Sequence, residues 1–281
     1  MNKLSFVASM LMMCLPMTMM AQKNGAKAQD KPDPNFQIYL CFGQSNMEGN
    51  ANIEDIDRTG VNPRFMAMYA VDDEKAGWKK GQWHTAVPPQ ARPTTGLTPV
   101  DYFGRKMVDN LPDSIKVGTI TVAVGGASID LFDKRTCKAY LKKQPDWMKN
   151  FASQYNGNPY ARLIELAKIA QKQGVIKGIL LHQGETNNGD ANWPNRVKTV
   201  YNDILKELHL KAEDVPLLVG ETVQKDQGGS CWQHIAIVDD IAKTIPTAHV
   251  ISSKGCPQRG DGLHFIAESY RTMGKRYANM M

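Results

Sequence analysis

From Phe36 to the C terminus, apolar runs of strand length alternate with amphipathic helical segments, and that alternation leaves few folds open. The run 36–42 is almost wholly apolar and short, the pattern of a buried strand. Strands are likewise predicted over 65–71, 116–124, 176–183, 215–220 and 249–252. Helices are predicted over 99–111, 159–173, 194–208, 230–245 and 267–280. Val100, Phe103, Met107 and Leu111 share one helical face, as do Leu163, Leu166, Ala167 and Ala170, with Gly174 as a stop. Strands alternating with helices imply a mainly parallel sheet covered on both faces. Residues 36–281 fit one such domain.

The N terminus reads differently. Lys3 is the only charge before the Met-rich apolar run 4–20, which ends at Ala21. This is the pattern of a secretory signal peptide over residues 1–21. Pro16 and several Ser/Thr residues interrupt the run, and no stop-transfer flank follows, so a membrane span is disfavoured. Residues 22–35 are polar and read as a flexible leader. A secreted or periplasmic location, with cell-surface association open, is therefore expected.

The net charge of +6 is spread over 34 basic and 28 acidic residues without blocks. That argues for a solvated mixed surface and against nucleic-acid binding. Past the signal segment lie Cys41, Cys137, Cys231 and Cys256. An oxidising compartment permits bridges. Cys41, inside a predicted strand, reads as a buried free thiol, and Cys231–Cys256 is the favoured pair if one bridge forms. No Cys or His pair has metal-ligand spacing.

Ligands of open parallel sheets sit beyond the carboxyl ends of the strands, and four polar motifs fall there. Ser45 stands in Gly43-Gln44-Ser45-Asn46-Met47, directly after the first strand. A serine hydroxyl becomes a nucleophile only when a base takes its proton. Met47 replaces the second glycine of the Gly-x-Ser-x-Gly elbow, so this is not that turn. Gln44 and Asn46 flank the serine and are candidate substrate contacts. Gly125-Gly126-Ala127-Ser128 offers a backbone N–H that a ligand can approach closely. His182-Gln183-Gly184-Glu185-Thr186-Asn187 places Gln183 and Glu185 on one side if the strand continues. Gln183 suits an oxyanion, Glu185 suits the bracing of a histidine, and His182 reads as a core residue. Finally, Asp261-Gly262-Leu263-His264 spaces an acid three residues before a histidine. On one loop the Asp can accept Nδ1–H and leave Nε2 free for the serine.

Together, the motifs around Ser45, Gly126, Gln183 and His264 resemble those of the SGNH hydrolase superfamily. The closer resemblance is to the sialate O-acetylesterase-type branch that includes family 6 carbohydrate esterases, the acetyl xylan esterases. The resemblance implies a flavodoxin-like three-layer α/β/α fold. It implies Ser45 as nucleophile, His264 as general base, and the N–H groups of Ser45 and Gly126 as oxyanion donors. Gln183 is the choice for a third donor, with Asn187 in reserve. Asp261 fits the acid, and the resemblance to similar esterases leaves open that Glu185 shares or replaces it in that role. No metal or organic cofactor is implied.

The expected partner is an acetylated carbohydrate: acetylated xylan or its oligosaccharides first, O-acetylated sialic acid next. Trp78, Trp83, Trp147, Trp193 and Trp232 offer flat faces for sugar rings. Trp193, which follows the Gln183–Glu185 segment, carries most weight, with Asn187 beside it. The Gly-, Pro- and Trp-rich stretch 72–99 is a candidate cleft wall. A rival reading from another class is a secreted glycan-binding protein on a decayed hydrolase scaffold, against which the intact Ser, Asp and His argue.

Overall fold

The computed structural model describes residues 31–281. The expected signal peptide and most of the leader lie outside the described residues. Seven strands form one sheet: β1 (Phe36–Gly43), β2 (Phe65–Met68), β3 (Trp83–Thr85), β4 (Lys116–Ala123), β5 (Val175–His182), β6 (Leu217–Gly220) and β7 (Ala248–Ile251). The spatial order is β3-β2-β4-β1-β5-β6-β7. Every pairing is parallel except β2 with β3.

β1 lies at the centre, between β4 and β5. This position explains why the run 36–42 is apolar but for Gln37: both of its faces are covered. Ile38, Leu40 and Phe42 enter one core, while Tyr39 and Cys41 enter the other. The first core is closed by the helices Pro159–Ala170 and Trp193–Glu207, the second by Pro99–Asn110 and Ala267–Met280. The result is the expected three-layer α/β/α sandwich.

Local chemistry sets the helix starts. Thr98 and Asp101 form a reciprocal capping box before Pro99, the arrangement that satisfies two otherwise orphaned N–H groups. Thr98 Oγ1 also donates to the Met47 carbonyl at 2.7 Å, so this cap is tied to the turn that carries Ser45. Asn158 caps the next long helix by accepting from Ala161 N–H at 3.0 Å.

Four features depart from the sequence reading. The short antiparallel strand β3 lies in the stretch 72–99, where no strand was predicted. Helices Cys137–Lys142 and Asp146–Ser153, separated at Pro145, were also not predicted. The single helix expected over 230–245 is instead three short turns, Trp232–His234, Ile235–Asp239 and Ile241–Thr244. Asp239 and Asp240 sit at the break, and aspartate competes with helical hydrogen bonding through its own short side chain. Finally, β5 ends at His182 and a 3₁₀ turn follows over Glu185–Asn187, so Gln183 and Glu185 do not alternate as strand neighbours.

Candidate active site

The carboxyl end of β1 delivers Ser45. Gly43 has φ +152°, and a Cβ there would collide with the His182 carbonyl of the neighbouring strand, so this exit from the sheet requires glycine. Ser45 then opens a single helical turn, Ser45–Glu48. The loop between β7 and the last helix brings His264 to it. His264 Nε2 lies 2.8 Å from Ser45 Oγ, and His264 Nδ1 lies 2.7 Å from Asp261 Oδ2. Residues 219 positions apart thus form one hydrogen-bonded relay.

Asp261 is held by more than the imidazole. Its Oδ1 accepts the N–H groups of Leu263 and His264 at 2.9 and 2.8 Å, and its Oδ2 accepts Arg259 Nε at 2.8 Å. Partial burial alone would raise its pKa. The donors from His264, Leu263 and Arg259 outweigh that and hold the carboxyl well below its ordinary range. Its stabilising contribution is therefore present above the ordinary carboxylate pKa. It is lost only as pH falls through the depressed value.

Asn46 locks the two halves of the relay together. Its Nδ2 donates to Glu185 Oε1 at 2.5 Å and to the Leu263 carbonyl at 2.9 Å. Its Oδ1 accepts from Tyr270 Oη at 2.6 Å and from Phe265 N–H at 3.5 Å. The side chain next to Ser45 thereby grips both neighbours of His264. It is fully buried and does not line the cavity, so Asn46, a candidate substrate contact from the sequence, is placed to position the relay.

Glu185 faces the cavity edge but bonds to Asn46, and Asp261, not Glu185, is the acid hydrogen-bonded to the imidazole. Burial pushes the Glu185 carboxyl up to about 7, against the opposing pull of its own backbone N–H and Asn46. A carboxyl raised on folding stabilises the fold below its unfolded pKa and loses that contribution as pH rises through the folded value. Glu185→Gln is therefore expected to gain stability relative to the wild type between about pH 4.5 and 8, by on the order of 2–3 kcal/mol. Urea unfolding of both proteins across that range checks this. A difference independent of pH would refute it.

The oxyanion donors divide. Among the described residues, neither the Ser45 N–H nor the Gly126 N–H donates to a protein acceptor. Both residues line the same cavity. Gly126 has φ +69°, a left-handed conformation that favours glycine. Gln183 is different. Its Nε2 is spent on Asn187 Oδ1 at 2.7 Å, Gln44 Oε1 at 3.1 Å and the Ala127 carbonyl at 3.2 Å. Its Oε1 accepts from Trp193 Nε1 at 2.5 Å. Asn187 Oδ1 also accepts from Ile129 N–H at 3.0 Å. Gln183 is thus a buried joint between the loops, not a third oxyanion donor, and Asn187 braces it from outside the cavity. Gln44 does reach the cavity, and its Oε1 is fixed by Gln183, Gly184 N–H and Thr186 N–H.

Trp193, expected against substrate, is completely buried and packs edge-on to His234 at 4.7 Å. An indole that opens a helix on the covered side of the sheet serves as core, and its N–H finds Gln183. Cys231 and Cys256 are unpaired, as are Cys41 and Cys137. Among the described residues no group of His, Cys, Asp and Glu side chains has the arrangement of a metal site.

The cavity around Ser45 and His264 has a volume of about 480 Å³. Arg92, Thr94 and Thr95 line it, so the stretch 72–99 supplies a wall as expected. Trp147 and Phe151, from a helix the sequence did not predict, form another part. At the cavity floor Arg92 pairs with Glu48, both buried.

A serine–histidine–aspartate relay at the carboxyl rim of a mainly parallel sheet is the catalytic constellation of a serine hydrolase. A family model described as carbohydrate esterase, sialic acid-specific acetylesterase, matches residues 35–281, and the chain belongs to that family. Solved structures share the fold at low identity. A protein from Arabidopsis thaliana is 19% identical with a TM-score of 0.64, over 88% of this chain and 98% of that one. NanS is 15% identical with a TM-score of 0.62, over 89% of this chain and 97% of its own. A carbohydrate acetylesterase from Xanthomonas citri is 19% identical with a TM-score of 0.56, over 86% of this chain and 55% of that longer one.

Proposed function

We propose that this carbohydrate esterase is a secreted or periplasmic enzyme that removes O-acetyl groups from plant polysaccharide, acetylated xylan or its oligosaccharides, through an acetyl-serine intermediate. The observation that carries the mechanism is the unbroken Ser45–His264–Asp261 relay, with contacts of 2.8 and 2.7 Å. Ser45 Oγ attacks the ester carbonyl as His264 Nε2 takes its proton. Asp261 stays ionised and holds Nδ1–H. The Ser45 and Gly126 N–H groups receive the developing oxyanion. His264 returns the proton to the departing sugar oxygen. Water, activated by the same imidazole, then releases acetate.

A neutral sugar is favoured by the charge of the cavity. The arginine in its lining, Arg92, has its charge balanced by Glu48, and both are buried. A sialic acid carries a carboxylate that calls for a free cation. O-acetylated sialic acid is the second reading, supported by the description of the matching family. The apolar segment 1–21 supports export.

Acetate release from acetylated xylan and from O-acetylated sialic acid, each measured with the wild type and Ser45→Ala, tests this. Ser45-dependent release from xylan is expected. Release from the sialic acid alone would keep the mechanism and replace the substrate. Release that persists in Ser45→Ala would remove the mechanism.

A further inference from the structure

The five tryptophans separate cleanly by environment. Trp193 is buried. Trp78 stacks on Tyr69 at 4.6 Å, and Trp83 packs edge-on to Phe36 at 4.9 Å. Trp232 lies beneath Lys225, whose ammonium is 4.4 Å from its ring centroid. Trp147 alone among them lines the cavity that holds Ser45 and His264, and it is 49% exposed.

Its placement is specific. One edge of the indole meets Phe151 at 5.8 Å and 66°. Another reaches over Gly126: a Cβ built on that glycine would lie 2.7 Å from Trp147 Cη2. The ring therefore stands within one residue of the N–H assigned to the oxyanion. Half of its surface remains open to solvent, so an apolar face of the ring is available to an occupant of the cavity. The same cavity is lined by Asn50, Thr94, Thr95 and Thr186, and its charged members are tied to protein partners, Arg92 to Glu48 and Glu185 to Asn46. A flat apolar face beside hydroxyl and amide side chains matches a pyranose, which has a C–H face and an equatorial belt of hydroxyls.

We propose that Trp147 is the saccharide platform of the active site, stacking the sugar ring whose acetyl group enters between Ser45 and Gly126. This rests on the esterase reading above and names how that site holds its substrate. It moves the sugar contact expected at Trp193 to the helix Asp146–Ser153.

The test compares a saccharide ester with a small ester that has no sugar. Trp147→Ala and Trp147→Phe are assayed on p-nitrophenyl acetate and on whichever acetylated saccharide the wild type deacetylates. On the saccharide, Trp147→Ala is expected to raise KM about 30-fold, the loss usual when a central aromatic anchor is truncated. Trp147→Phe should recover most of it. For Trp147→Ala the loss in kcat/KM should be at least about tenfold smaller on p-nitrophenyl acetate than on the saccharide. Equal losses on the two esters would mean that the ring only shapes the Gly126 loop, and an unchanged saccharide KM would mean that the sugar lies elsewhere. Either result overturns the platform. Wild-type protein that releases acetate from neither saccharide would overturn the esterase substrate reading, and the platform with it, before any variant is made. Thermal melts of the variants guard against misfolding, which would depress both activities together.

Discussion

Ser45→Ala and His264→Ala are each expected to lower kcat by about 10⁶, and the double variant should be no slower than either alone. The reason is that the relay acts as a unit. Without the imidazole, the Ser45 hydroxyl keeps its proton and is a weak nucleophile. Without the hydroxyl, the imidazole has nothing to activate. Asp261→Asn should cost about 10⁴, because an amide that donates to Nδ1 enforces the wrong tautomer. Glu185→Gln should remain within about tenfold of wild type, since Glu185 reaches the relay only through Asn46. Steady-state kinetics on p-nitrophenyl acetate measures all five. A large loss in Glu185→Gln with a small one in Asp261→Asn would exchange the two acids. Losses that multiply in the double variant would mean that Ser45 and His264 do not act together.

The parts of this site that the sequence displays are those set by local pattern. A buried central strand must be apolar on both faces, so β1 is visible as a run, and Ser45 is visible at its end. Asp261 and His264 lie on one loop, three residues apart, and their contact needs only that loop to fold back. The misassignments concern side-chain direction. Glycine at 184 and the 3₁₀ turn at Glu185 end the alternation on which Gln183 and Glu185 were aligned. Gln183 is then drawn inward by Trp193, Asn187 and Gln44, contacts that no spacing rule encodes. Trp193 and Trp147 are indistinguishable by residue type. Trp193 opens an amphipathic helix on its covered face. Trp147 belongs to an eight-residue helix that carries its short apolar pattern beside Pro145, too brief for periodicity to reveal.

Glu48 and Arg92 form the least legible part of the site, and their removal should be the most damaging change to stability. They lie 44 residues apart and pair in the floor of the cavity. Both are almost wholly buried. Burial raises the Glu48 pKa, against the pull of the Arg92 charge, the Gly125 N–H and the Arg92 hydrogen bond. The guanidinium also lies over the Phe151 ring, 4.4 Å from its centroid, while its Nε and Nη1 have no partner among the described residues. Removing one member strands the other charge in a low-dielectric floor. Glu48→Ala and Arg92→Met are each expected to destabilise the protein by about 3–5 kcal/mol. Glu48→Met combined with Arg92→Met should recover much of that loss, because no uncompensated charge remains. The recovery should not extend to catalysis. The Glu48 carboxylate packs against Gly125, where a Cβ would lie 2.9 Å from its Oε2, so its loss frees the loop that presents the Gly126 N–H, and a fall in kcat is expected even where the fold is restored. Urea unfolding with steady-state kinetics separates the two effects. A double variant destabilised by the sum of its parts would show that the pair is not coupled. One with wild-type kcat would show that Glu48 does not hold the oxyanion loop.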